Sequence, residues 1–361
     1  MNTSSKPSLL AVALAGALVL TGCKSIGPGT VSRDRFDYSA SIADSWKQQT
    51  LLNIVKLRYM DQPVFVDVAS IVAGYSLQTG ISVGGTVSSA KAVQQDFVSG
   101  AGQAIYTDRP TITYVPLTGQ KFLAGLLTPI EPKNIFFMLQ SGYAADFMLA
   151  LTVESLNGVR NRSLIAGAVR EADPEFYRVL QLMREVQAAG AVGMRVLENK
   201  DKTSTAVMFF RRENLPPEML DKTAEIRRLL KLPAEQKQFN LIYSPTAGGD
   251  GELGVGSRSM LQIMQAMASY TEVPEADLKE GRATPSLAST NGTAKSEPVK
   301  IKCSQDKPAD AFAAVHYRDH WFWVDDRDLR SKRAFTAIMF IFTMIQNTGE
   351  EKLPLVTIPA Q

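Results

Sequence analysis

The chain has 361 residues, 45% of them hydrophobic and 21% charged, so it can bury a sizeable core and is not wholly disordered. Its 39 Lys and Arg residues nearly balance 36 Asp and Glu residues, and a formal charge of +3 argues against a nucleic-acid-binding surface. Two Cys and two His residues exclude Cys-rich zinc modules, iron–sulfur clusters and a disulfide framework.

The N-terminus has the organisation of a targeting segment. An apolar run from Leu9 to Leu20 follows Lys6 and is shorter than the roughly 20 residues that a spanning helix needs. The run ends in Leu20-Thr21-Gly22-Cys23, which resembles the lipobox of bacterial lipoprotein precursors. The resemblance implies that residues 1–22 are a cleaved signal peptide and that the Cys23 thiol carries lipid. The alternative is an ordinary secretory signal with an incidental Cys.

The lipoprotein resemblance also implies a location and a partner. In that family the residue after the Cys influences sorting, with Asp favouring the inner membrane, so Lys24 implies the outer membrane and its periplasmic face. Membrane lipid is then a partner through acylated Cys23. Cys303 would be the only thiol left, and its alternation with Val299 and Ile301 predicts a buried structural thiol rather than a reactive one.

The mature chain begins with a tether and a helix. Residues 23–35 are predicted to be flexible, because the stretch is rich in Gly, Pro, Ser and Thr. Apolar residues at helical spacing then predict an amphipathic helix from Ser41 to Tyr59 that ends before Pro63. A strand is expected from Val64 to Val68.

The next segment alternates strictly between apolar and small polar residues. Its apolar positions are Tyr75, Leu77, Thr79, Ile81, Val83, Gly85 and Val87. One interpretation is a long strand that covers a soluble core. The other is a membrane-spanning strand, which needs about 9–11 residues with one lipid-facing side, here Tyr75, Leu77, Ile81, Val83 and Val87.

A membrane-spanning strand would need partners. The second strand of a hairpin could come from about Ala101 to Val115, although Asp108, Arg109 and Pro110 interrupt the pattern. Because one hairpin cannot close a barrel, several copies would have to pool their strands in a ring. Lipoproteins of the curli-export channel type are built in that general way, and the likeness is one of architecture only.

The remaining elements alternate between helices and strands and predict an α+β fold with mixed, mostly antiparallel sheets. The predicted helices are Leu123–Leu127, Ile135–Leu139, Tyr143–Leu156, one opened by Asp173-Pro174, Pro217–Leu230, Ser259–Tyr270 and Leu329–Ile345. The predicted strands are Thr111–Val115, Met194–Leu197, Ala206–Phe210, Phe239–Tyr243, Ala313–Tyr317 and Trp321–Val324. Asn157-Gly158 is expected to close its helix as a C-cap.

Composition divides the mature chain into regions. Residues 279–298 are rich in Gly, Ser, Thr, Lys and Pro and are predicted to be a flexible linker or loop. The expected regions are the tether at 23–35, an N-terminal α+β region at 36–160, a central α+β region at 161–278, this linker, and a C-terminal strand, hairpin and helix unit at 299–361.

Two clusters are candidates for chemistry. His316 and His320 lie four residues apart among several Asp residues, as in some metal sites, but the aromatic flanks favour a hairpin with a polar rim. Gly249, Gly251 and Gly254 satisfy G-x-G-x-x-G, yet the intervening acids would repel a pyrophosphate, so a Gly-rich β-turn is the preferred interpretation. Asp326 and Asp328 are expected to cap the following helix.

The sequence contains no P-loop, nucleophile-elbow or H-E-x-x-H motif. We therefore expect a lipid-anchored, periplasm-facing lipoprotein of the outer membrane with a binding or assembly role, no cofactor, and partners among envelope proteins or copies of itself. The alternative is a subunit of an oligomeric export channel that contributes a β-hairpin from residues 75–115. An envelope hydrolase is a third function class.

Overall fold

The computed structural model describes residues 30–72, 74–86, 97–165, 168–198, 204–211, 213, 215–284, 286 and 297–346. The predicted signal peptide, Cys23, Lys24 and Val87 lie outside these residues. Internal contacts divide the chain into two compact units, one of Met1–Ser45 with Val66–Pro116 and one of Trp46–Phe65 with Leu117–Gln361. We call their described parts the ribbon unit and the core unit. The predicted region boundaries remain a prediction.

The first helix, α1 (Val31–Arg58), begins ten residues before the predicted start at Ser41. The tether prediction is therefore wrong for residues 31–35, which are helical. The segment contains no Gly or Pro, and Asp34 in the first turn interacts favourably with the helix dipole. Its first half is polar, so hydrophobic periodicity gave no signal there.

The ribbon unit contains four strands in two pairs. They are β1 (Phe65–Val72), β2 (Tyr75–Thr86), β3 (Phe97–Asp108) and β4 (Thr111–Leu117). β2 runs antiparallel to β3 over their whole length, and β1 is hydrogen-bonded to β4. The Arg109 N–H donates to the Gly74 carbonyl at 2.9 Å between the two pairs. Pro110 ends β3 because it has no N–H to donate.

The core unit is built on a six-stranded sheet in the order β6-β5-β12-β11-β10-β9. Its strands are β5 (Val153–Leu156), β6 (Val159–Arg160), β9 (Val192–Glu198), β10 (Ser204–Phe210), β11 (Gln238–Tyr243) and β12 (Glu252–Ser257). Neighbouring strands are antiparallel except β11 and β12, which are parallel. A short hairpin of β7 (Ser163–Ile165) and β8 (Ala168–Arg170) follows β6. The predicted α+β class with mostly antiparallel sheets is confirmed.

The core unit also contains helices, of which those at 132–140, 145–152 and 174–188 contact this sheet. The helices are α2 (Gln120–Leu127), α3 (Pro132–Gln140), α4 (Ala145–Thr152), α5 (Pro174–Ala188), α6 (Pro217–Leu229), α7 (Met260–Ala268) and α8 (Glu275–Lys279). The predicted stripe of α5, with Phe176, Leu180, Met183 and Val186, is buried. Asp173 precedes this helix, but its carboxylate accepts the Arg160 N–H at 2.7 Å instead of capping it.

The predicted helix from Tyr143 to Leu156 is wrong over its last four residues. α4 ends at Thr152, and residues 153–156 form β5 beside β12. Asn157 and Gly158 have φ values of 48° and 86° and connect β5 to β6 in a two-residue turn. Asn-Gly is a strong signal for such a hairpin, and the helix C-cap interpretation missed it.

The C-terminal part of the core unit agrees with its prediction. β13 (Lys302–Ser304), β14 (Ala311–Tyr317) and β15 (His320–Asp325) form a sheet in the order β13-β15-β14 under α9 (Leu329–Gln346). Asp328 accepts the Arg330 and Ser331 N–H groups at 3.1 Å, so its predicted capping role is confirmed. Cys303 is half-buried on β13, and this burial raises the pKa of its thiol to about 11.

The predicted linker at residues 279–298 agrees with the structure only in part. The predicted linker does not begin at residue 279, because the Thr284 N–H donates to the Arg58 carbonyl at 2.9 Å. Positions 285 and 287–296 of that segment lie outside the described residues.

None of the described helices combines the length and the apolar character that crossing a membrane requires.

Candidate functional site

The register of β2 and β3 gives each apolar position of β2 a partner position of β3 on the same face. Phe97 and Ile105 of β3 are register positions of the opposite face. Residues directly opposite each other in an antiparallel pair share a face. Ile81 is opposite Gly102, Thr79 is opposite Ala104, and Tyr106 is the partner of position 77. We call this the apolar face; its register positions are Tyr75, Leu77, Thr79, Ile81, Val83, Gly85, Val98, Gly100, Gly102, Ala104, Tyr106 and, at its end, Asp108. We call the antiparallel pair β2–β3 the ribbon. The alternation is regular in β2 and weaker in β3, because Phe97 and Ile105 are positions of the opposite face.

Large apolar side chains of the ribbon are exposed in the isolated chain. Ile81 is 78% exposed, and Tyr106 is 51% exposed. Ile112 and Tyr114 of β4 are also exposed. Two-stranded ribbons are marginally stable in water, and contiguous exposed apolar surface marks a binding or membrane-contact site. The apolar face therefore has the composition of a surface that another phase or another molecule covers.

The ribbon is almost free of charge. Between Tyr75 and Thr107 the sequence has only two charged residues, Lys91 and Asp96, and both lie in the connection at 87–96 outside the described residues. Asp108 and Arg109 mark the opposite end. Each of the two strands has twelve residues, which extend for about 37 Å at about 3.4 Å per step. Strands of about 9–11 residues suffice to cross a bilayer, so these are long enough.

A polar cluster fastens the ribbon to the N-terminal half of α1. The Tyr75 hydroxyl donates to the Asp34 carboxylate at 2.5 Å, and Arg33 pairs with the same carboxylate at 3.0 Å. The rings of Tyr75 and Tyr106 stack with centroids 6.3 Å apart. The Tyr75 hydrogen bond lowers the pKa of Asp34 and raises the pKa of Tyr75 to about 12. We call these four residues the base cluster.

Sequence reasoning missed three members of the base cluster. It identified Tyr75 from the alternation but assigned Arg33 and Asp34 to the tether. The sequence signal that could have found them is the uninterrupted helix-compatible stretch after Thr30, with an acid in its first turn. Tyr106 required the register, which places it diagonally across from Tyr75.

Three glycines of the ribbon leave open space around them. A Cβ atom added at Gly80, Gly100 or Gly102 would have no neighbouring heavy atom within 4 Å, and none of the three has a positive φ. Glycine weakens a strand interior, because it loses more conformational freedom and contributes no side chain. The fold of the isolated chain therefore does not require glycine at these positions.

A groove beside β9 is a second candidate surface. It has a volume of about 730 Å³ and lies between α3, α5 and this edge strand, with Phe136, Leu139, Met183 and Met194 in its wall. β9 is hydrogen-bonded to β10 on one side and is the last strand of its sheet. The Gln140 side chain donates to the Met194 carbonyl at 2.7 Å and so occupies part of the free edge.

The structure does not bring His316 and His320 together as metal ligands. His316 is paired with Trp321, and Tyr317 is paired with His320. Neighbouring pairs of an antiparallel ladder face opposite sides, so the two imidazoles lie on opposite faces of the hairpin. Among the residues that the structure describes, no group of three or more His, Cys, Asp or Glu side chains could hold a metal ion.

The Gly-rich segment at 249–254 is the predicted turn. It leads into β12, not into a helix, so it lacks the helix N-terminus of a dinucleotide site. Backbone N–H groups in this segment and just before it donate within the protein. The Asn157 side-chain oxygen accepts the Gly248 and Gly254 N–H groups at 2.9 and 3.2 Å. No family model matches the chain, and no curated protein and no solved structure shows significant similarity to it.

Proposed function

We propose that the chain is a lipid-anchored subunit of an oligomeric assembly in the outer membrane, to which each copy contributes the β2–β3 ribbon. The observation that carries the proposal is the register, since it places the alternating apolar positions of β2 on one face together with Val98, Ala104 and Tyr106 of β3. The proposal favours the export-channel alternative of the sequence analysis over a tethered accessory protein.

The dimensions of the ribbon fit this role. A strand of about 37 Å, tilted by about 40°, rises about 28 Å, and the apolar band of outer-membrane barrels is about 25 Å tall. Tyr75 and Tyr106 stand at the α1 end of the ribbon, where an interfacial aromatic girdle is expected. The charged residues Asp108 and Arg109 follow just beyond them.

The need for several copies follows from hydrogen bonding. β2 and β3 pair with each other and form a two-stranded sheet, so each has one outer edge of backbone N–H and C=O groups. Those groups must find partners inside a hydrocarbon phase, because an unsatisfied group there costs several kcal/mol. Pairing β2 of one copy with β3 of the next would satisfy them and close a ring.

The base cluster connects the ribbon with the proposed lipid anchor. Cys23 lies eight residues before Val31, a distance of at most about 28 Å along an extended chain. The bond between Asp34 and Tyr75 holds the first turn of α1 at the end of the ribbon. An acylated Cys23 would therefore reach the membrane surface from which the ribbon enters.

A second candidate function is a tethered binding or assembly factor. The observation that favours it is the groove beside β9, because an extended segment can add to an edge strand while its side chains enter a neighbouring groove. In this case Cys23 alone would hold the protein at the membrane. The two functions differ in what happens when the anchor is removed.

The test is extraction of the Cys23→Ser variant from membranes with alkaline carbonate. We expect the variant to remain in the membrane fraction, because inserted ribbons do not depend on the acyl chain. The control is the processed protein with Cys23 intact, which should also remain in the membrane fraction. Complete release of Cys23→Ser into the soluble fraction would contradict the assembly and favour the tethered factor.

A further inference from the structure

The face opposite the apolar face is polar but uncharged. Its register positions are Ser76, Gln78, Gly80, Ser82, Gly84, Thr86, Phe97, Ser99, Ala101, Gln103, Ile105 and Thr107. Seven of the twelve have an amide or a hydroxyl group, Phe97 and Ile105 are the large apolar exceptions, and none has an ionisable side chain. Gln78 and Gln103 are exposed in the isolated chain. This face can therefore form hydrogen bonds with water and with solutes but has no fixed charge.

In a ring of ribbons the two faces have different surroundings. If the apolar face contacts lipid, the polar face lines the interior, as in outer-membrane barrels. We infer that this interior is a water-filled passage without fixed charge, which admits hydrated polar solutes, including neutral oligosaccharides, without selecting them by the sign of their charge. The inference rests on the function proposed above.

Charge selectivity in channels comes from rings of charged side chains, and a ring multiplies each charge by the number of copies. Between residues 75 and 107 this chain offers only Lys91 and Asp96, whose charges cancel. Asp108 is opposite Tyr75, which puts it at the end of the apolar face rather than on the polar one. The polar face of the two described strands therefore supplies no ring of charge along the proposed passage.

The experiment is conductance of the full-length chain in planar bilayers of phosphatidylcholine under a KCl gradient. The unmodified assembly should give a K⁺ to Cl⁻ permeability ratio close to one. Gln78→Glu and Gln103→Glu change only an amide to a carboxylate and should each shift that ratio several-fold towards K⁺. Gln181→Glu on α5 adds the same charge outside the ribbon and should leave the ratio unchanged.

The outcomes separate the two proposals. A discrete conductance with a ratio close to one, shifted by Gln78→Glu but not by Gln181→Glu, supports the uncharged passage. A discrete conductance that is strongly selective in the unmodified chain, or that does not respond to either ribbon variant, overturns the passage but leaves the membrane assembly standing. Chain that inserts and yet gives no conductance overturns the proposed channel itself.

Discussion

Two antiparallel hairpins of this chain, β14–β15 and β2–β3, have the same alternation of apolar and other residues but bury their apolar positions to very different extents. In β14–β15 the side chains of Phe322 and Val324 are completely buried, with α9 packed against this sheet. In β2–β3 the side chain of Ile81 is 78% exposed. Alternation therefore indicates that a strand has an apolar side, but only the surrounding structure shows what that side contacts.

The two hairpins also differ in how many charged residues they contain. Asp319 precedes β15 and Asp325 is its last residue, and Lys302 of the adjacent β13 pairs with Asp325 at 2.8 Å. Charged groups at the rim are typical of a sheet that is covered on one side and wet on the other. Apart from Asp108 at the end of β3, the β2–β3 strands have no charged residue, which is the pattern expected where the surrounding phase cannot solvate charge.

The largest expected effect comes from truncating the buried hairpin. Phe322→Ala should lower the free energy of unfolding by about 3–5 kcal/mol, whereas Ile81→Ala should change it by no more than about 0.5 kcal/mol. Guanidinium unfolding in mild detergent, followed by far-UV circular dichroism, measures both units, whereas tryptophan fluorescence reports on the core unit alone, because Trp46, Trp321 and Trp323 all lie there. Similar losses for the two variants would mean that Ile81 belongs to a covered core.

A second comparison separates the two faces of the ribbon. Ile81→Lys places a charge on the apolar face and should oppose membrane insertion by about 2–4 kcal/mol per copy. Ser82→Lys, the matched control on the polar face, should insert normally. The readout is the carbonate-resistant fraction of each variant in the Cys23→Ser background. Equal insertion of both would show that the faces are not distinguished by lipid.

The sequence predicted the hairpin β14–β15 well and the ribbon only in part. The turn at Arg318 and Asp319 lies between two short aromatic strands, and both residues have positive φ values, so composition and geometry agree. The start of β3 at Phe97 gave no signal, because the strand is rich in Gly, Ser and Ala, which have low strand propensity.

The base cluster was beyond sequence reasoning for a different reason. Asp34 and Tyr75 are 41 residues apart, and their contact depends on a helix that starts earlier than its apolar periodicity indicates. The error at residues 153–156 was of another kind, since the apolar residues there suit a helix and a strand equally well. The turn residues Asn157 and Gly158 could have decided between them.

The smallest expected effect is a change in the pKa of Asp34, in the base cluster. The folded-state pKa of Asp34 is lowered, so its contribution to stability is complete above the ordinary Asp pKa of about 3.9 and is lost as the pH falls through the folded value. Tyr75→Phe removes the hydroxyl that lowers this pKa and should move it back towards the ordinary value. Carboxyl ¹³C NMR of Asp34 measures the change, with Tyr114→Phe as the control; an unchanged pKa would exclude the hydrogen bond.

The central claim is that several copies join through their ribbons, and the most direct test is the native mass of the full-length chain extracted from membranes in mild detergent. We expect a discrete assembly of several copies that is lost in Ile81→Lys and retained in Ser82→Lys. A monomer in the unmodified sample would contradict it. The ribbon would then be a surface for a different partner, and the groove beside β9 would become the first site to test.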